Sequence, residues 1–158
     1  MLILMLGSNI KREESIKKGL MLLQTKFSVK KISSVYETEN VSDNHNQSYY
    51  NCAVMIDTDE RLETIKKIIL PAIENECGRK RDINDKHAPR TLDIDISFYG
   101  QQQVTKEDYQ VPDPDITKYK HLLVPICEIA PQFIHPDSGK SIKSLLKDCQ
   151  DKHHILKV

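Results

Sequence analysis

No stretch of this sequence approaches the ~20 apolar residues of a membrane span. The apolar residues 1–6 are too few, and have nothing basic before them, to form the centre of a secretion signal. The four cysteines, Cys52, Cys77, Cys127 and Cys149, include no C-x-x-C pair and none at finger-like spacing from a histidine, which argues against a structural zinc site. Dispersed thiols fit a reducing compartment, so a cytoplasmic protein is expected. Only five glycines are present, and no Walker loop or Gly-x-Gly-x-x-Gly stretch; Gly7-Ser8-Asn9 is too small to count as one. Any nucleotide chemistry must therefore use another scaffold. Charge of one sign is also missing: 23 Lys and Arg balance 23 Asp and Glu, so no overall field favours nucleic acid or a membrane surface. Repeats, low-complexity tracts and linkers are absent, and 158 residues are expected to form one domain, 1–158, with a proper core.

What is present is concentrated near the middle. Leu92, Ile94, Ile96 and Phe98 alternate with Asp93, Asp95 and Ser97, the period-two pattern of a half-buried strand over 91–99. One face is apolar, and the other carries two carboxylates about 6–7 Å apart along the strand. Like charges at that spacing are unfavourable unless a cation lies between them. The preceding loop, 79–90, holds Arg79, Lys80, Arg81, Lys86 and Arg90 against Asp82 and Asp85. A divalent metal and a polyphosphate meeting at the strand account for both features. Mg²⁺ takes hard oxygen ligands and commonly uses one or two carboxylates, completing its shell with phosphate and water. Taken alone, an Asp-x-Asp strand is also an ordinary exposed strand, and Arg79-Lys80-Arg81 an ordinary charge run at a helix C-terminus.

The remaining periodicities predict strands at 2–6, 29–38 and 49–57 and helices over 11–26 and from about Thr58 to Gly78. Asp57 and Glu60 have capping-box spacing, and Leu62, Ile65, Ile69 and Ile73 form the second helix's buried stripe. Pro71 is expected to kink that helix. With the 91–99 strand the order is βαββαβ: an α+β, ferredoxin-like core with an antiparallel sheet and two helices on one face. An irregular C-terminal extension follows, with an extended turn at 111–115. The apolar run 122–130 reads as strand and then short helix, and 141–149 as a terminal helix.

Several segments together resemble the 6-hydroxymethyl-7,8-dihydropterin pyrophosphokinase family of folate biosynthesis. They are Leu6-Gly7-Ser8-Asn9, Tyr49-Tyr50-Asn51, Gly78-Arg79-Lys80-Arg81, Pro89-Arg90-Thr91-Leu92-Asp93-Ile94-Asp95-Ile96, Val111-Pro112 and Pro125-Ile126-Cys127-Glu128-Ile129-Ala130-Pro131. The resemblance implies pyrophosphoryl transfer from MgATP to the pterin hydroxymethyl oxygen, with release of AMP, by a monomer acting on small molecules. It implies two Mg²⁺ held by Asp93 and Asp95, with Arg79, Arg81 and Arg90 on the ATP phosphates, and Arg79, Arg90, Asp93 and Asp95 as the catalytic set. Glu74 and the backbone of Ile96 fall at nucleotide-contact positions. Asn51 matches the amide that reads the pterin edge, Tyr49 would stack on the pterin face, and the backbone near Thr38 and Val41 would complete that pocket. Without the resemblance, Tyr49 and Asn51 read as strand-edge residues.

The departures cluster downstream. Asp113 stands where the family has a histidine, and Tyr119 and His121 where it has an arginine and an aromatic stacking residue. His121 could still stack, and Lys118 and Lys120 could supply positive charge without an arginine's fork. His87 and Ala88 replace a tryptophan and a glycine. Besides the enzyme, two alternatives remain at this point: a pterin- and ATP-binding paralogue without turnover, and a metal-dependent nuclease, for which the sequence offers no general base or nucleic-acid groove.

Overall fold

The computed structural model describes residues 1–39, 47–78, 84 and 91–158. In chain order these form β1 (Leu2–Ser8), α1 (Arg12–Lys26), β2 (Ser28–Ile32), β3 (Tyr36–Thr38) and β4 (Tyr49–Asp57). A helical segment follows: α2 (Leu62–Thr64), a π-helical turn (Ile65–Ile69) and α3 (Leu70–Glu76). Then come β5 (Asp93–Tyr99), a hairpin of β6 (Val104–Thr105) and β7 (Gln110–Val111), α4 (Lys120–Ile129), α5 (Ile142–Asp148) and β8 (Ile155–Lys157). The main sheet runs β5-β1-β4-β3-β8, with β2 and β3 sharing one edge of β4. Every pairing in it is antiparallel.

The expected ferredoxin-like core is present, and the C-terminal third adds a third layer. Leu2, Leu4 and Leu6 point to one side of β1, where they pack with Ile16 and Leu23 of α1 and Leu70 and Ile73 of α3. Ile3 and Met5 point to the other side and meet Leu122, Leu123, Ile126 and Ile129 of α4 with Ile142 and Leu145 of α5. Burial on both faces is why residues 2–6 form an unbroken apolar run rather than an alternating one. The segment 122–130, expected to begin as a strand, is helical from its start to Ile129. Its buried Leu122, Ile126 and Ile129 recur at helical spacing, and the ring of Pro125 is buried with them.

Two other expectations change in detail. The predicted strand 29–38 breaks into β2 and β3 at Ser33. There the serine amide donates to Ala53 O (2.9 Å) while its own Oγ accepts from Ala53 N (2.8 Å), so a side chain replaces one rung of the ladder. The second helix begins at Leu62 without a side-chain cap. Glu60 Oε1 instead accepts from the adjacent Arg61 N (3.1 Å), which uses up the expected capping box. The disturbance expected at Pro71 shows as a π-helical turn ending at Ile69, within a helical segment that continues to Glu76. Leu70 N reaches back five residues to Ile65 O, and this wide turn absorbs the backbone disturbance just before the proline.

Gly19 lets α1 lie close to the sheet, because a Cβ there would stand 2.8 Å from Leu92 Cδ2 and 3.3 Å from Leu6 Cδ2. Gly19→Val is expected to cost about 1–3 kcal/mol through overpacking. Urea unfolding should show a lower midpoint at unchanged slope; an unshifted midpoint would mean that this helix–sheet contact is loose.

Candidate active site

The site is assembled by strand register. Gly7 of β1 lies opposite Asp93 of β5 on one side and Asn51 of β4 on the other. Asp93, Gly7 and Asn51 therefore stand abreast on three neighbouring strands, their Cα row spanning about 10 Å. Directly paired residues share a face, so carboxylate and amide flank a gap that the middle residue leaves unfilled. A Cβ on Gly7 would sit 3.3 Å from Asn51 Oδ1. Asp95, opposite Met5, occupies the next position along the same face.

A bulge follows immediately. Leu4 pairs with Ile96 and Ile3 with Phe98, so Ser97 is an extra residue without a cross-strand partner. Strict alternation would have put Phe98 on the same face as Ile96. Instead Ile96 packs with the α1–α3 layer and Phe98 with the α4–α5 layer. The carbonyl of Ser97 accepts from Asp113 N (3.2 Å), which brings the turn after β7 beside Asp95. Asp113 Oδ1 in turn accepts from Asp115 N (2.9 Å).

The electrostatics show what this arrangement lacks by itself. Burial and then the neighbouring Asp93 push the Asp95 carboxyl up to about 8, with Asp113 and Glu74 adding to the rise and Lys66 opposing it. This occurs although the side chain is half exposed, with Lys66 Nζ 3.9 Å from Oδ1. Burial likewise raises Asp113, partly offset by its hydrogen bond from Asp115. Among the described residues, no three His, Cys, Asp or Glu side chains form a cage sufficient to hold a metal. A hard carboxylate such as Asp95, which holds its proton too readily, suits a cation whose other positions are filled by ligand oxygens and water, as with Mg²⁺.

The outer edge of β5 is lined by two cavities. One, of about 210 Å³, is bounded by Lys66, Asp95, Ile96, Tyr109 and Asp113. The other, of about 580 Å³, is bounded by Lys66, Leu70, Pro71, Glu74 and Ile94. Glu74 is almost fully buried, and its Oε1 accepts from Ile94 N at 2.9 Å. Ile96, two residues on, presents its backbone to the same edge. Glu74 and Ile96 thus lie along the same strand edge, each bordering one of the two cavities.

On the other side of Gly7, Asn51 Nδ2 donates to Thr38 Oγ1 at 2.6 Å, and Thr38 pairs with Tyr49 in register. His121 reaches this side from the start of α4. It lines a narrow cleft with Thr38, Lys120, Asp151, His153 and His154. Burial lowers its pKa, which favours a neutral ring, and that ring leans on Tyr119 with centroids 5.4 Å apart. Lys120 thus belongs to the Thr38 side, where its amide donates to Asp151 Oδ2 (2.8 Å). Lys118 pairs with Asp115 at 2.9 Å, within electrostatic range of Asp113. Arg79, Arg81, Arg90 and Val41 lie outside the described residues.

Two participants had no signal of their own in the sequence. Lys66 reads there as one of several lysines on a helix surface, and Asp151 as part of a polar tail. Only pairing of β8 with β3 brings that tail to the Thr38 cleft.

Residues 3–131 match the model of the 7,8-dihydro-6-hydroxymethylpterin-pyrophosphokinase family. A 2-amino-4-hydroxy-6-hydroxymethyldihydropteridine pyrophosphokinase of Bacillus subtilis is 35% identical over 134 residues, 80% of this chain and 76% of that protein. One of the same description from Synechocystis is 40% identical over 98 residues, 61% of this chain and 47% of the relative. A folic acid synthesis protein of Dictyostelium discoideum is 31% identical over 131 residues, covering 82% of this chain but only 20% of its own length. The chain therefore spans less than half of the latter two. The fold is similar to that in a crystal structure of Plasmodium falciparum HPPK-DHPS with STZ-DHP, at TM-score 0.71 and 14% identity over 93% of this chain and 42% of that one.

Proposed function

Because this chain belongs to the 7,8-dihydro-6-hydroxymethylpterin-pyrophosphokinase family, we propose that it transfers pyrophosphate from MgATP to the hydroxymethyl group of 6-hydroxymethyl-7,8-dihydropterin in folate biosynthesis. Residues 1–158 act in this role as one domain and as a monomer. The observation that carries it is the row Asp93–Gly7–Asn51, which sets a metal-suited carboxylate and a base-reading amide on either side of a gap left by glycine.

The pterin lies on the Asn51 side. The Asn51 amide, oriented by its hydrogen bond to Thr38, offers a donor and an acceptor to the pterin edge. Tyr49 and His121 supply rings to stack on the pterin, and backbone near Thr38 and Val41 closes the pocket. The nucleotide lies along the outer edge of β5, its base near the Ile96 backbone and Glu74, its phosphates directed to Asp93 and Asp95. Arg79, Arg81 and Arg90 neutralise the phosphates, with Lys118 adding positive charge near Asp113; Lys120, expected to do the same, stands instead on the pterin side. Two Mg²⁺ ions, held by Asp93 and Asp95, would supply charge neutralisation of the polyphosphate.

The substrate alcohol oxygen attacks the β-phosphorus, the bond from that phosphorus to the α–β bridging oxygen breaks, and AMP leaves with the bridging oxygen. The alcohol proton passes to solvent. No strong side-chain base is needed, since positioning and charge stabilisation carry the step. Incubation with MgATP and 6-hydroxymethyl-7,8-dihydropterin is expected to yield AMP and pterin diphosphate in equal amounts. ADP in place of AMP, or pterin binding with no AMP at all, would overturn the assignment.

A further inference from the structure

The π-helical turn has a consequence for the nucleotide side. One surplus residue in the turn rotates the preceding helix by about 100° relative to α3. Lys67 pairs with Glu63 at 3.0 Å and borders only the larger cavity. Lys66 is turned toward β5. Its side chain is 29% exposed, its Nζ lies 3.9 Å from Asp95 Oδ1, and it borders both cavities along the strand edge.

The residues of the facing turns that line the cavities include acid but no base. Asp108 borders both cavities, and Asp113 borders the smaller one beside Asp95. Among the described residues lining the smaller cavity, Lys66 is the one cation. At 3.9 Å the ammonium is attracted to Asp95 but not locked to it by a short hydrogen bond. A divalent cation on that carboxylate would repel it, and its four-carbon stem can then swing without backbone movement. The nearest use for the displaced charge is an anion beside the metal.

We propose that Lys66 is a phosphate-binding residue that yields Asp95 to the metal and moves onto a non-bridging oxygen of the nucleotide triphosphate. It offsets the negative charge that Asp108 and Asp113 bring to the same cavities. The inference rests on the pyrophosphoryl-transfer reading of this site. A lysine suits the role as a mobile point charge, where an arginine fork would demand fixed geometry.

The test is direct binding of α,β-methylene ATP at saturating Mg²⁺, measured by calorimetry on the wild type, K66Q and K66R. Binding of 6-hydroxymethylpterin is measured beside it. K66Q should weaken the nucleotide analogue about tenfold, as expected for loss of a charge-assisted contact. K66R should restore most of that loss, and pterin affinity should not change. K66Q binding the analogue as tightly as wild type, or more tightly, overturns the proposal, because it leaves Lys66 only a partner of Asp95. Failure of K66R to restore binding, or equal weakening of nucleotide and pterin, also overturns it by removing charge as the cause. If wild type binds pterin but not the analogue, the reading of the site falls first and takes this role with it; that result differs from every outcome in which wild type binds both.

Discussion

Asp95→Asn is expected to lower turnover by about 10³-fold or more while making the metal-free protein more stable at neutral and alkaline pH. The first effect follows from the metal role proposed for Asp95, which would lose a charged ligand at the centre of the phosphate chemistry. The second follows from the raised pKa. Folded protein holds the Asp95 proton up to about pH 8, whereas the unfolded chain releases it near the ordinary value of 3.8. The stability linked to that proton is full below about pH 4, falls as pH rises, and is lost once pH passes about 8. Asp113, raised in the same direction, adds to the slope. Asparagine cannot ionise, so the variant should lose Asp95's share of the decline. Mg²⁺ taken up by wild type below pH 8 should displace the proton, and the variant should lose most of this release. Thermal midpoints across pH 4–9, with and without Mg²⁺, check the stability effect, and AMP formation checks the catalytic one. Undiminished turnover, or a variant less stable than wild type at pH 8, would contradict the role given to this carboxylate.

Asn51→Leu is expected to weaken pterin binding by about 10²-fold or more and leave nucleotide binding within about twofold. The residue is 7% exposed, and its amide is the polar group facing Gly7. A site built to pair a substrate's donors and acceptors discriminates strongly once those partners are gone, because buried polar atoms remain unsatisfied. Leucine has similar volume, so the gap beside Gly7 survives and the loss reports on recognition. Some stability, about 1–2 kcal/mol, should go as well, since Thr38 Oγ1 loses its donor at 2.6 Å. Parallel titrations with 6-hydroxymethylpterin and a nucleotide analogue separate the effects. A variant that lost both ligands equally would indicate a displaced strand rather than a lost contact.

The elements were legible because their periods are local properties of the chain. Residues 93–99 alternate, Ile16, Leu20 and Leu23 recur at helical spacing, and each pattern became the expected element. Failures of local reading have local rivals: the apolar run 122–130 satisfies strand and helix alike until the sheet face claims Leu122, Ile126 and Ile129. Phe98 could not be placed from alternation, because the bulge at Ser97 exists only in pairing with β1. Pro71 announced a disturbance, but not the wide turn before it, from which Lys66 reaches Asp95 of β5.

By itself, then, the sequence determined the βαββαβ order, the two carboxylates of β5 and the family to which the motifs point. These need only the chemistry and spacing of neighbouring residues. Tertiary structure alone decided that Asp93, Gly7 and Asn51 form one row, that Asp113 stands beside Asp95, that Lys66 faces the acidic edge, and that the tail reaches the Thr38 cleft. The physical reason is that strand register and the side a bulge exposes are set by hydrogen bonds and buried faces contributed by distant parts of the chain.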